Sequence, residues 1–161
     1  MLNYNEFGTG PTLLIAHGLY GSARNWGVIA KRLSDTRRVV VVDMRNHGDS
    51  PRFDTHSYPD MANDLAEVIE HIGAPVDVLG HSMGGKASMA LALTRPELVR
   101  SLISADIAPV SYTHSQIHFI EAMRAVDLNT VTRRAEASEQ LEAQGVSAEL
   151  QSFFTQSIDI S

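Results

Sequence analysis

Cysteine is absent from the 161 residues, which excludes disulfides and thiolate metal sites, and with them the small disulfide-stapled and zinc-finger classes. No run of apolar residues approaches the length of a membrane span. The first residues, Met1-Leu2-Asn3-Tyr4-Asn5-Glu6, have neither a basic start nor an apolar core of the kind a secretory signal needs, so a cytoplasmic protein is the expectation. Positive charge is scarce and scattered. The formal net charge is −6, and no Lys/Arg block exceeds the pairs Arg37-Arg38 and Arg133-Arg134, so neither nucleic acid nor an anionic membrane is an expected partner. Internal repeats and low-complexity segments are also missing. At 43% hydrophobic residues the chain is nonetheless able to bury a core.

What is present is organised around residues 76–87, Val-Asp-Val-Leu-Gly-His-Ser-Met-Gly-Gly-Lys-Ala, an apolar strand running into a small-residue turn and then a helix. This is the pattern G-x-S-x-G, with Ser82 at the apex of a strand-to-helix turn and Gly80 and Gly84 removing bulk on either side. Three fixed positions recur by accident roughly 0.05 times in a chain of this length, so the motif needs support from the rest of the sequence. A rival lies in the same letters: Gly80-x4-Gly85-Lys86 nearly spells a phosphate-binding loop. Ala87 breaks that pattern, because the hydroxyl that would hold magnesium belongs directly after the lysine and Ser88 comes one residue late.

Taken in order, the chain alternates. A short strand within residues 2–7 is closed by Gly8-Thr9-Gly10-Pro11. Leu13-Leu14-Ile15-Ala16 follows, a continuous apolar run of the kind found in strands buried on both faces. Next come the loop His17-Gly18-Leu19-Tyr20-Gly21-Ser22, a helix over 23–34 capped by Ser22, the strand 38–42 and the polar loop 43–51. A helix over 58–72, the strand before Ser82, the helix after it and a strand over 99–105 complete the rhythm. Such alternation predicts an α/β fold, a mainly parallel sheet with helices on both faces, whose sites form beyond the carboxyl ends of the strands. His17, Asp43, Ser82 and Asp106 all fall near those ends.

After Pro109 no strand pattern remains. Residues 111–161 read as three helices, near 114–126, 130–144 and 148–157, with Asn129 and Ser147 as caps. The expected organisation is a core over 1–110 followed by a helical lid or cap over 111–161. Ile117, Phe119, Ile120, Met123 and Val126 lie nearly all round the first of these helices, which predicts cover on most of its sides. His114 and His118, four residues apart, have the spacing of a metal pair, but no third ligand accompanies them and a solvated face is expected.

Three separated signals, His17-Gly18, the loop Asp43-Met44-Arg45-Asn46-His47-Gly48-Asp49-Ser50 and Gly80-His81-Ser82-Met83-Gly84-Gly85-Lys86-Ala87, together resemble the α/β-hydrolase superfamily. With Asp106-Ile107-Ala108-Pro109-Val110, their spelling is similar to the small bacterial esterase and acyl-CoA thioesterase branch. The resemblance implies a serine hydrolase acting on carboxylic esters or acyl thioesters through an acyl-enzyme, with no metal or organic cofactor. Ser82 would be the nucleophile, the N–H groups of Leu19 and Met83 the oxyanion donors, and Asp106 the acid that orients a histidine. It implies a bracing role for the Asp43 loop. Ile117, Phe119, Ile120 and Met123 would contact the acyl group of a small ester or acyl-CoA substrate. A serine in the elbow also argues against the relatives that use aspartate there, the haloalkane dehalogenases and epoxide hydrolases.

The departure from the pattern is the base. Chain order in this fold places the histidine on a loop after a last strand, and neither follows Asp106 here. The expectation is a chain truncated at its C-terminal end, without the last strands or the base histidine, nearly inactive alone and able to self-associate through an open sheet edge. The alternatives are a catalytically incomplete binding scaffold of the same fold and, more remotely, a nucleotide binder built on the Gly80–Lys86 stretch.

Overall fold

The computed structural model describes residues 1–113 and 115–160, so the His114 half of the histidine pair lies outside the described residues. The chain divides into two compact units, Met1–Val110 and Ser111–Ser161. In the first, strands β1 (Tyr4–Phe7), β2 (Thr12–Ala16), β3 (Arg38–Val42), β4 (Val76–His81) and β5 (Val99–Ala105) form one sheet in the order β1-β3-β2-β4-β5. β2, β3, β4 and β5 pair in parallel, while β1 runs antiparallel against β3.

The pleat explains how two cores arise from the same strands. Successive side chains point to opposite faces, so Leu14, Ala16, Val40, Val42, Val76 and Val78 share one face with helices α2 (Tyr58–Ile72) and α3 (Met83–Thr94). Leu13, Ile15, Val39 and Val41 share the other with α1 (Gly27–Leu33), whose Ala30 is fully buried. The continuous apolar runs of β2 and β3 are thus matched by helices on both faces. α2 starts on a reciprocal cap, in which the Ser57 hydroxyl accepts from the Asp60 N–H and the Asp60 carboxylate accepts from the Ser57 N–H.

At the end of the sheet opposite the loops of interest, Arg37 and Arg100 both converge on the Asp77 carboxylate, which also accepts from the Ser101 hydroxyl at 2.6 Å. Hydrogen bonds from Arg100 first, then from Ser101 and Arg37, hold Asp77 far below the ordinary carboxylate range against the opposing effect of burial. β5 stands at the edge of the sheet. Its Ile103 is 51% exposed, unlike any side chain of the buried run in β3.

Two helix starts differ from the sequence expectation. The helix expected over 23–34 begins as a 3-10 turn (Ala23–Trp26) before α1, because the Ala23 N–H is drawn to the Asp43 carboxylate and the Ser22 N–H to the Asn25 side chain. In the second unit, α4 (Ile117–Arg124), α5 (Arg134–Ala143) and α6 (Ala148–Thr155) are shorter than expected. Asn129 does not cap α5: it closes a turn on Asp127, and the Glu136 carboxylate accepts from the Thr132 and Arg133 N–H groups instead. Nor is α4 covered on most sides. Only its Ala122 is buried, Ile117 and Ile120 are exposed, and its Phe119 meets Phe154 edge-on at 5.4 Å. Among the described residues no helix is long and apolar enough to cross a membrane.

Candidate active site

Ser82 follows β4 and precedes α3 with φ 50° and ψ −114°, a conformation that L-residues seldom adopt. The strain is held from both sides: the Ser82 N–H donates to the Ala105 carbonyl at the end of β5, and the Ser82 carbonyl accepts from the Lys86 N–H in the first turn of α3. Although Ser82 occupies the cap position of α3, its hydroxyl makes no capping bond. The hydroxyl is therefore not spent on the helix below it.

The flanking glycines are required by contact. A Cβ on Gly80 would lie 2.5 Å from the Gly84 carbonyl oxygen, and one on Gly84 would lie 2.4 Å from the Ala16 carbonyl oxygen. α3 therefore seats its first turn directly on the end of β2. There the chain turns through His17, Gly18, Leu19 and Tyr20, with the Gly21 N–H donating to the Gly18 carbonyl at 3.1 Å. Gly18 touches the elbow, since a Cβ on it would lie 2.8 Å from His81 Nδ1 and 3.2 Å from the Ser82 Cβ.

Asp43, at the end of β3, is 4% exposed and turned inward. Its carboxylate accepts from the Ala23 N–H at 2.7 Å, the Asn3 side-chain amide at 2.9 Å and the Asp49 N–H at 3.1 Å. Burial alone would raise its pKa, but these donors bring it below the ordinary value. Gly48 passes over this carboxylate at φ +48°, where a Cβ would meet the Asp43 Cγ at 2.3 Å. Arg45, two residues on, is buried and forked onto Asp64 of α2, with its guanidinium over the Phe53 ring. The whole loop 43–50 is thus tied to its surroundings by charged groups facing inward.

Asp106 differs on every count. It follows β5 at φ 53°, its side chain is 91% exposed, and its carboxylate lies 3.9 Å from His81 Nε2. The register pairs His81 with Ala105, so Ser82 and Asp106 leave neighbouring strands side by side. Gly85 leaves room for Ile107, whose methyl would lie 2.4 Å from a Cβ at that position.

Ser82, the Gly18–Leu19 turn and Asp106 are therefore brought to the carboxyl end of the strands β4, β2 and β5, with Met83 as the first residue of α3. Ile117, Phe119, Ile120 and Met123 belong to the second unit. Among the described residues no group of three or more metal-ligating side chains is found. The nucleotide-binding alternative loses its last support here, since the Ser88 hydroxyl is fully buried and donates to the Gly84 carbonyl, and Lys86 Nζ donates to the Val110 carbonyl.

Two histidines whose contacts the motifs alone do not foretell stand behind the turn. The His17 ring contacts the Gly18 carbonyl through Nδ1 at 2.7 Å and the Met44 N–H through Nε2 at 2.9 Å. A carbonyl can only accept and an N–H can only donate, so His17 is the neutral Nδ1–H tautomer. Burial accordingly lowers its pKa from 6.5 to about 4, against the pull of the Gly18 carbonyl. His47 repeats the arrangement: Nδ1 donates to the Arg45 carbonyl at 2.8 Å, and Nε2 accepts from the Tyr20 N–H at 3.1 Å. The two rings meet edge to face at 5.1 Å.

A mainly parallel sheet with helices on both faces, carrying a strained serine in a tight turn between strand and helix, defines an α/β fold of the strand–elbow–helix class. The family model for the alpha/beta hydrolase fold matches residues 11–158, and the chain belongs to that family. It is similar to the mouse sn-1-specific diacylglycerol lipase ABHD11, with 44% identity over 79% of this chain and 44% of the mouse protein. Esterase YbfF of Escherichia coli is 40% identical over 83% of this chain and 53% of its own length. A solved marine microorganism esterase superimposes with a TM-score of 0.92 at 38% identity, over 98% of this chain and 64% of that one. The chain spans about half the length of the curated relatives it matches.

Proposed function

We propose that these residues carry the nucleophile, the acid and the oxyanion donors of a serine esterase acting on carboxylic esters, acyl thioesters being the nearest related substrates. The observation that carries the reading is the conformation of Ser82, strained at φ 50°, making no capping bond, and close enough to Gly18 that a Cβ there would crowd it. Strain of this kind persists only where its surroundings hold it, and it clusters at reactive sites. Relatives that bear the names of a lipase and two esterases support the same chemistry.

In this mechanism a histidine takes the Ser82 hydroxyl proton as Oγ attacks the ester carbonyl. The carbonyl oxygen becomes an oxyanion and is met by the Leu19 and Met83 N–H groups, Met83 lying at the positive end of α3. The same histidine then gives its proton to the departing alcohol, leaving an acyl group on Ser82, and water attacks the acyl-enzyme by the same route. Asp106 orients and stabilises the imidazolium. His17 and His47 are excluded as the base because both nitrogens of each ring are engaged with the backbone. The base in this reading is a histidine other than these two.

A fluorophosphonate probe followed by mass mapping tests the proposal in a protein that carries this chain. Labelling is expected on Ser82 and lost in Ser82→Ala, while labelling at another residue, or an unlabelled but well-folded protein, overturns it in favour of a binding scaffold.

A further inference from the structure

The Leu19 N–H is flanked by two peptide planes, and each is held by a different histidine. The Gly18–Leu19 plane, to which that N–H belongs, is fixed through its carbonyl, which accepts from His17 Nδ1 at 2.7 Å and from the Gly21 N–H at 3.1 Å. Because the N–H and C=O of a trans peptide point opposite ways, holding the carbonyl inward aims the N–H away from those donors. The Leu19–Tyr20 plane is fixed through its N–H, which donates to His47 Nε2. This second plane is the one that needs help: Tyr20 sits at φ 63°, the third position of a four-residue turn, where glycine is the favoured residue. A tyrosine there is strained, and a flip of this plane would relieve the strain.

We infer that His47 is a positioning residue for the oxyanion donor, locking the Leu19–Tyr20 peptide through the Tyr20 N–H so that the Leu19 N–H keeps its aim. The inference rests on the esterase reading above. It requires neutral His47, because a proton on Nε2 removes the acceptor and sets two donors against each other. The groups facing this ring are His17 edge-on, His56 at 5.7 Å, and the charges of Arg52 and Asp43. Burial is the main influence lowering its pKa. The Arg45 carbonyl and Asp43 pull the other way, and His56 and Arg52 reinforce burial. An acid limb in oxyanion-hole function is the consequence.

In a protein that carries this chain and its base histidine, the test compares wild type with His47→Gln, whose amide oxygen reaches near the place of Nε2, and His47→Leu, which has no acceptor. The first readout needs no catalysis: a through-hydrogen-bond 15N–15N coupling between the Tyr20 amide and His47 Nε2, present at pH 8 and lost on acidification. The second is capture of butylboronic acid by Ser82, whose tetrahedral adduct mimics the oxyanion and shifts the Leu19 amide resonance. We expect His47→Leu to weaken capture at least roughly tenfold, short of the 10²–10³ reached when an oxyanion donor is deleted outright. His47→Gln should stay within about threefold of wild type and lose the acid limb. Should His47→Leu unfold, Tyr20→Gly in the same background supplies a residue at ease at that φ and restores capture. Absence of the coupling, or undiminished capture by folded His47→Leu, overturns the inference. If wild type shows the coupling but never captures boronate, the esterase reading fails first and takes the catalytic role of His47 with it.

Discussion

Gly84→Ala and Gly27→Ala make a matched pair whose effects should have opposite signs. Replacing a helical glycine by alanine normally stabilises, by about 0.4–1 kcal/mol, because the unfolded chain loses freedom and alanine favours the helix. Gly27 meets that condition: it opens α1 at φ −56° and ψ −40°, and a Cβ there has nothing within 4 Å. At Gly84 the new Cβ lies 2.4 Å from the Ala16 carbonyl oxygen, 2.5 Å from that of His17 and 2.7 Å from the Ala16 carbonyl carbon. All three atoms are backbone at the end of β2, so no rotamer change relieves them. Restoring ordinary contact at 3.4 Å moves α3 and β2 apart by about 1 Å, and overpacking of this order costs about 1–3 kcal/mol. Against the helix gain the net is a loss of about 1–2 kcal/mol, or roughly 2–8 °C in midpoint temperature for a chain of this size. Urea and thermal unfolding, with an unchanged m-value as the control for a native-state effect, measure both variants. The same displacement separates Met83 from the Leu19 turn, so fluorophosphonate labelling of folded Gly84→Ala should slow beyond what its unfolded fraction explains. A Gly84→Ala protein as stable as wild type, or a Gly27→Ala protein less stable, refutes the contact argument.

In a protein that carries this chain and its base histidine, Asp106→Asn should abolish most turnover with little change in stability, since its side chain is 91% exposed, whereas Asp43→Asn should unfold the protein earlier by weakening the charged acceptor shared by Ala23, Asn3 and Asp49. Equal loss of stability in the two, measured by urea midpoint, counts against that division. Asp77→Ala leaves Arg37 and Arg100 without their common carboxylate and should lower the urea midpoint. On the acid side, His17 has a folded pKa of about 4 against 6.5 unfolded, so the unfolded state binds the proton first. Its stabilising contribution is complete above pH 6.5 and falls by about 3 kcal/mol as the pH drops to about 4, a slope that urea midpoints across that window would reveal.

Much of the sheet was readable because the runs Leu13-Leu14-Ile15-Ala16 and Val39-Val40-Val41-Val42 have no polar face, and only a strand covered on both sides tolerates that. The elbow was readable because Gly80 and Gly84 are demanded by backbone contacts that any side chain would violate. The partner of β1 was not readable: it skips β2, its neighbour in the chain, to pair antiparallel with β3, a choice made by tertiary packing. Nor do the residues themselves announce the left-handed conformations at Tyr20, Ser82 and Asp106, none of which is a glycine. The α5 start was not readable because Asn129 is held by Asp127 in a local turn, while the Glu136 carboxylate accepts from the Thr132 and Arg133 N–H groups at the helix start.

The use made of histidine shows how chemistry and scaffold divide the same residue type. An imidazole near neutral pH can trade protons or can serve as a fixed donor and acceptor, and it cannot do both through the same nitrogens. His17 and His47 each give Nδ1–H to a carbonyl and Nε2 to a backbone N–H, so both ring positions are filled by the main chain. That arrangement joins the loop after β2 to the loop after β3 across 27 residues, through Met44 on one side and Tyr20 on the other. Two loops that leave neighbouring strands thereby share one shape, and a perturbation of either is felt at Leu19. Under the proposed esterase mechanism, proton transfer at Ser82 falls to an imidazole that the backbone has left uncommitted, and these two brace the turn that carries the proposed oxyanion donor.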